Sequence, residues 1–309
     1  MFGQNFVHIK STYSIDLINL NIKLTDYKQT KFRSTLLQNI TSVEEKEGSD
    51  PTYFIEIPKS IFYKSISSEF EQYYVRALLQ LSDFNNMGEE INDSWKYTTY
   101  YYFFFFSNVA LHRYLQRGYI YLDASNTERL KEIFSTILKK PINIGKGNWF
   151  FKKKSESVSS VQIELTKVGG NVHQLIWQDL KSTIRTFESK STRKNNSVEN
   201  SILKNLHQTI RKNNSFSPSE IRNNLNYLSE ISIDEIYNKI QCPKTKETDF
   251  IKNLTKYNYN NSNLSKINLS ILIGQYVHLF NTAIISDIEL RDSKSFKLKK
   301  KYHKQKNNE

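Results

Sequence analysis

Apolar side chains between residues 65 and 81 recur at three-to-four spacing. Phe70, Tyr73, Tyr74, Ala77, Leu78 and Leu81 form one stripe, which predicts an amphipathic helix. A second helix is predicted from near Asp93 to about Arg117, with the ring-rich run Tyr100 to Phe106 in its middle. The polar stretch 89–93 opens that helix, and Gly118 is expected to close it as a left-handed C′ residue. Asn126-Thr-Glu signals a third helix over Glu128 to Leu138, which Pro141 stops. Two strands are then expected at Gly145 to Phe151 and Val158 to Val168, around a hairpin tip Lys-Lys-Lys-Ser-Glu-Ser. Gly169-Gly170 turns the chain into a helix from about Asn171 to Glu188, with Val172, Leu175, Ile176, Leu180 and Ile184 on one face.

Residues 189–200 read as a polar, flexible connection. A last helical block follows, at Ile202 to Lys212, Ser217 to Tyr227, Ile233 to Ile240 and Leu264 to Ile288. Before residue 65 only Val7 to Ile9 and Tyr53 to Ile57 have strand composition, and the acidic stretch 44–51 between them reads as a turn. The pattern therefore predicts a mainly α protein in three parts. Residues 1–64 form an irregular, partly extended N-terminal extension. Residues 65–290 form a helical domain with a small β-hairpin insertion at about 145–168. Residues 291–309 form a frayed basic tail.

Composition narrows the function classes. The 309 residues carry 44 Lys and Arg against 31 Asp and Glu, a net charge of +13 that favours polyanionic partners. Nineteen Tyr and nineteen Phe supply the apolar core that a 38% hydrophobic content would otherwise leave thin. Cys242 is the lone cysteine, so a disulfide framework and a cysteine zinc site are excluded and a reducing cytoplasm is expected. The N-terminal sequence lacks the order of a signal peptide. The charge-free stretch Tyr97 to Leu111 is shorter than the roughly 18–20 residues of a membrane span, so no membrane association is expected. The six histidines show no HxxxH or HxH spacing, and no phosphate-binding glycine loop or serine elbow occurs, so neither a metal nor a cofactor is expected.

Ser217-Pro-Ser-Glu-Ile-Arg-Asn-Asn-Leu-Asn-Tyr is the most informative string. Ser217 is a natural N-cap, Pro218 fits the first turn, and Glu220 stands where a capping box wants it. Arg222 and Asn226 then lie four apart on one face, with Asn223 and Tyr227 as an adjacent pair at the same spacing. Such a flank can read phosphates or base edges. It is equally what an asparagine-rich helix in an asparagine-rich chain looks like.

Arg-Asn-x-x-Asn-Tyr on a late helix, after an aromatic helix ending His112-Arg113-Tyr-Leu-Gln-Arg117-Gly, resembles the HEPN-type helical bundles, particularly YaaC-like bacterial members. The resemblance covers about residues 65–290. It implies a bundle of antiparallel helices, often dimerised, acting in bacterial anti-phage defence or toxin-type complexes beside protein partners encoded nearby. In active members an arginine and a histidine cleave RNA without metal. Arg222 matches the cationic position, but the histidine position holds Tyr227, whose phenol is a poor base at neutral pH. The implied role is therefore non-catalytic binding of RNA or DNA. A metal-independent ribonuclease using Arg222 and Tyr227, or a remote histidine, is the second reading, and a structural adaptor docking a nuclease or ATPase the third.

Further candidates come from spacing. Arg113 and Arg117, four apart at the end of the aromatic helix, share a face and can grip a phosphate together; as basic residues in a last turn they equally complement the helix dipole. Lys152, Lys153 and Lys154 stand beside Trp149, Phe150 and Phe151, and the tail adds Lys299, Lys300 and Lys301, a combination suited to sequence-independent nucleic-acid contact. His173 and Trp177, four apart, read as a histidine packed under a tryptophan.

Overall fold

The computed structural model of the chain describes residues 31–46, 51–191, 198–213, 217–227, 247–257, 259, 266–291 and 297–306. In order they form α1 (Phe32–Asn39), β1 (Ser42–Lys46), β2 (Thr52–Pro58), α2 (Lys59–Asn86), α3 (Asp93–Tyr114) and β3 (Arg117–Leu122). Then come α4 (Ala124–Leu138), β4 (Gly147–Glu156), β5 (Ser160–Val168), α5 (Val172–Ser191), α6 (Val198–Lys212) and α7 (Pro218–Tyr227). A short 3-10 turn, Glu247–Asp249, leads into α8 (Phe250–Lys256), followed by α9 (Lys266–Arg291) and α10 (Lys297–Lys306). The strand expected at Val7 to Ile9, residues 192–197 of the expected connection and the helix expected at Ile233 to Ile240 lie outside the described residues. The protein is mostly helical, as the periodicity indicated, but its β component is a five-stranded antiparallel sheet.

The chain divides into two compact units, with a part of α2 and of α3 in each. One unit takes residues 73–109 and 173–290. Its centre is α9, and the contacts along α9 pair Tyr97 with Ser270, Tyr100 with the Ile271 carbonyl and Asn281 with the Ser107 carbonyl. Numbers rise together on both helices, so α3 and α9 run parallel. Long connections between these helices permit a parallel pair, whereas α7 and α3 run antiparallel. Gly274 allows the close approach, since a Cβ there would stand 3.3 Å from both Phe104 and Tyr100. From Lys266 to Leu290 the helix is long and apolar enough to cross a membrane, yet 83% of its most apolar stretch is buried within the protein, as in the core helix of a soluble protein. His278 is fully buried there, stacked on Tyr74, with Nε2 3.0 Å from Glu247 Oε1.

The other described unit, residues 31–72, 110–172 and 297–306, holds the sheet, in strand order β1-β2-β5-β4-β3. Ile55 pairs with Ile163 and Phe54 with Glu164, so strands from the expected extension and the expected hairpin insertion belong to one sheet. Part of the acidic segment read as a turn is β1, with Val43 opposite Ile55. Alternation puts Tyr53, Ile55, Trp149, Phe151, Ile163 and Leu165 on the covered face, all buried. Phe32 of α1 closes on Phe151 at 4.2 Å between ring centres, and Phe134 of α4 on Tyr53 at 4.8 Å. Residues 297–306 of the expected tail are helical rather than frayed: α10 is anchored by the Lys299 amide, which donates to Glu71 Oε1 at 3.1 Å.

Two boundary corrections have local causes. The left-handed residue after α3 is Gln116, with φ +58°, not Gly118, because α3 stops at Tyr114 and β3 begins at Arg117. Helix α4 starts earlier than the Asn126-Thr-Glu signal, since the Asp123 carboxylate caps it by accepting from the Asn126 amide at 2.9 Å.

Lys152 to Lys154 are not at the hairpin tip. They lie within β4, and Ser157 to Ser160 make the turn, tied by the Ser160 amide to Ser157 Oγ at 2.9 Å. Lys153 points inward among Tyr63 and Glu156, and Lys59 joins the same carboxylate at 2.9 Å. Burial pushes the Glu156 carboxyl up, but hydrogen bonds from Lys153, Tyr63 and Lys59 outweigh it and hold the carboxyl at about 2. A depressed folded-state value means stability present above the unfolded carboxylate range and lost as pH falls toward 2. In acid denaturation from pH 5 to pH 2, wild type should therefore lose about 1 kcal/mol more than Glu156→Gln, a figure already reduced for partial exposure. Equal losses would remove the assigned role of this cluster.

Candidate functional site

Helix α7 is fixed by its apolar side. Pro218, Ser219, Ile221 and Leu225 are buried, which leaves Arg222 half-buried and Asn223, Asn226 and Tyr227 exposed. It docks on α3 through two polar contacts one turn apart. Arg222 Nη1 donates to the Tyr102 hydroxyl at 3.1 Å, and the Thr98 hydroxyl lies 3.1 Å from Asn226 Oδ1. That hydroxyl is also 2.8 Å from the Ser94 carbonyl, so one hydrogen serves two acceptors. The spacing 222/226 meets 102/98, the expected register of two antiparallel helices.

The guanidinium carbon of Arg222 stands 5.3 Å from the Tyr101 ring centre and 5.9 Å from that of Tyr102. Among the described residues no carboxylate pairs with it, and its Nε is buried without a hydrogen-bond partner. A cation in that setting keeps its charge and part of its donor capacity for a ligand.

His173, at the start of α5, completes the cluster. Its Nδ1 lies 2.7 Å from the Tyr101 hydroxyl, and its ring lies 4.3 Å from that of Phe105. Burial and the Arg222 charge both lower the His173 pKa, so the imidazole is neutral at pH 7. Burial raises the Tyr101 pKa well above the usual phenol range; Arg222 offsets part of this and Tyr102 adds to it, so the phenol stays protonated. The buried Tyr101 hydroxyl and Nδ1 then share one hydrogen bond, whose donor is set by the imidazole tautomer. Trp177, one turn further along α5, packs on Phe104 at 6.2 Å.

Half-exposed rings continue along α3 from this point. Phe105 and Phe106 are 5.6 Å apart, Phe106 is 6.1 Å from Tyr102, and Tyr73 stacks on Phe106 at 6.2 Å. Exposed Arg76 lies over Phe106 and Tyr73, at 5.5 and 5.9 Å. The result is a strip of rings with a guanidinium at either end.

The other sequence candidates are distributed differently. Arg113 is 3% exposed and its guanidinium is committed: Nε to Glu69, Nη1 to the Arg117 carbonyl at 3.3 Å and Nη2 to the Tyr119 carbonyl at 3.1 Å. It cannot grip a phosphate with Arg117, which sits in β3 beyond the end of the helix. Tyr227 is 77% exposed and shares no hydrogen bond or ring contact with Arg222, so the pair expected for catalysis is not assembled. Lys154 bonds Glu164 at 3.1 Å, while Lys152 is exposed and unpaired among the described residues. Lys300 is half-buried and Lys301 exposed on α10.

Comparison with protein-family models, with curated proteins and with solved structures returns no match for this chain.

Proposed function

We propose that this chain binds nucleic acid non-catalytically through the strip running from Arg222 to Arg76 along α3. The observation that carries the reading is Arg222 itself, a half-buried guanidinium held over two tyrosine rings with no carboxylate partner among the described residues. Half-exposed rings beside it suit base stacking, and the two arginines suit phosphates. Asn223 and Asn226, exposed on the same helix, add amide donors and acceptors. The likeness of Arg-Asn-x-x-Asn-Tyr to HEPN-type proteins supports a role in a cytoplasmic bacterial defence or toxin-type complex.

The reading predicts affinity for a labelled single-stranded oligonucleotide that falls steeply between 50 and 200 mM salt, as counterion release requires. Absence of binding at low salt would remove it and favour the adaptor role.

One observation favours a second reading, a metal-independent ribonuclease: an imidazole, from His173, belongs to the same cluster as the guanidinium. Against it stands the engagement of that imidazole, whose Nδ1 is already paired with the Tyr101 hydroxyl. Cleavage of RNA in EDTA that Arg222→Ala abolishes would establish the enzyme; intact RNA leaves the binder.

A further inference from the structure

One face of the sheet is covered by α1 and α4, and the residues of the opposite face alternate with the buried ones. On the edge pair β3–β4 that opposite face carries three successive cross-strand rows: Tyr121 with Asn148, Tyr119 with Phe150, and Arg117 with Lys152. Rows on one face of a strand are about 7 Å apart. Tyr121 is 54% exposed, Tyr119 and Phe150 are half-exposed, and their rings lie 5.1 Å apart.

The charge of this face is positive where the rings end. Glu164, opposite Lys152, is engaged by both Lys46 at 3.5 Å and Lys154 at 3.1 Å, so two ammonium groups surround one carboxylate. Burial raises the Glu164 pKa, and its bonds to Lys154 and Lys46 bring it below the usual range, so the carboxylate is fully charged and already neutralised at pH 7. Lys152 is exposed and pairs with no described group, and it stands beside Arg117.

We infer that this sheet face is a second nucleic-acid contact, a stacking platform for single-stranded nucleic acid. Two unpaired bases lie on Tyr119/Phe150 and on Tyr121, and the adjoining phosphate meets Lys152. The argument is complementarity: planar rings at a spacing set by the pleat, bordered by cations, fit a strand with free base faces and a charged backbone. A duplex hides its base faces and cannot use the rings. The inference extends the nucleic-acid reading to residues that the Arg222 strip does not include.

The test uses the full chain and a fluorescein-labelled 12-nucleotide oligo-rU. Tyr119→Thr and Phe150→Thr keep β-branched residues in the strands, and Lys152→Glu reverses one charge. Each is expected to weaken binding roughly tenfold with an unchanged melting temperature. Photo-cross-linking of a 4-thiouridine oligonucleotide should attach it to the peptides carrying Tyr119, Tyr121 or Phe150, a readout independent of Arg222. Affinity lost in Arg222→Ala but untouched by the three sheet variants, with no cross-link in β3 or β4, overturns the platform and leaves the Arg222 reading standing. Sheet variants that weaken binding while Arg222→Ala does not would do the reverse. Equal affinity for heparin or duplex RNA also overturns the platform, because charge without base stacking would then suffice.

Discussion

Replacing Glu69 by alanine is expected to lower folding stability by about 3–5 kcal/mol, the usual cost of leaving one member of a buried ion pair alone. Glu69 is buried in α2 and uses both oxygens: Oε1 accepts from the Phe32 amide at 3.0 Å and Oε2 from Arg113 Nε. The arginine in turn holds the carbonyls of Arg117 and Tyr119 and lies 5.0 Å from the Phe151 ring centre. One pair thus joins α1, α2, α3, β3 and β4. Without the carboxylate, a buried guanidinium loses its counter-charge and α1 loses the acceptor for its first amide.

Urea unfolding followed by tryptophan fluorescence, to which buried Trp149 contributes, measures the effect. Arg113→Ala should cost a similar amount. The double replacement Glu69→Leu with Arg113→Met should recover most of it, since no charge is then stranded. Gly118 provides an independent check. A Cβ at this position, where φ is +149°, would collide with Arg113 Nη1, so Gly118→Ala must displace the guanidinium. A loss below about 1 kcal/mol in Glu69→Ala would contradict this account of the network.

Arg222→Ala should produce the largest change in binding, a loss of at least about tenfold in affinity for single-stranded nucleic acid with the salt slope reduced by about one. Arg222→Lys separates charge from shape. Lysine keeps the positive charge but lacks the planar fork that lies over Tyr101 and Tyr102 while bonding the Tyr102 hydroxyl. The salt slope should therefore survive in Arg222→Lys while most of the affinity is lost. A lysine variant as strong as wild type would show that only net charge matters. Melting temperatures of both variants should stay close to wild type, because the apolar side of α7 rests on Ile221 and Leu225 rather than on Arg222.

How legible these features were depended on how local their causes are. Helices α2, α3, α5 and α9 were readable because each buries a stripe or a whole circumference, and the three-to-four spacing of rings and aliphatic residues records that directly. Helix α1 was missed because its apolar content is only Phe32, Leu36 and Leu37 in eight residues. Strand β1 was missed because Ser-Val-Glu-Glu-Lys carries one buried apolar residue, Val43, and owes its extended form to pairing with β2. Arg113 was misassigned for a similar reason. A basic residue near a helix end looks available until the acid that neutralises it, 44 positions earlier, is seen beside it.

Arg222 was recognisable from its helix. Its surroundings were not: His173 and Tyr102 lie far from it in the chain, and no periodicity links them.

What the amino-acid order determined by itself was a basic, ring-rich, mostly helical chain with Arg222 on a helix opened by Pro218, because charge, aromatic content and helical period are local or additive properties. What the tertiary structure alone decided was which cations stay available. Burial and long-range pairing consume Arg113, Lys153 and Lys154, while Arg222 and Lys152 are left without a carboxylate partner among the described residues. Desolvation and pairing act through space, so the decision lies in the packing.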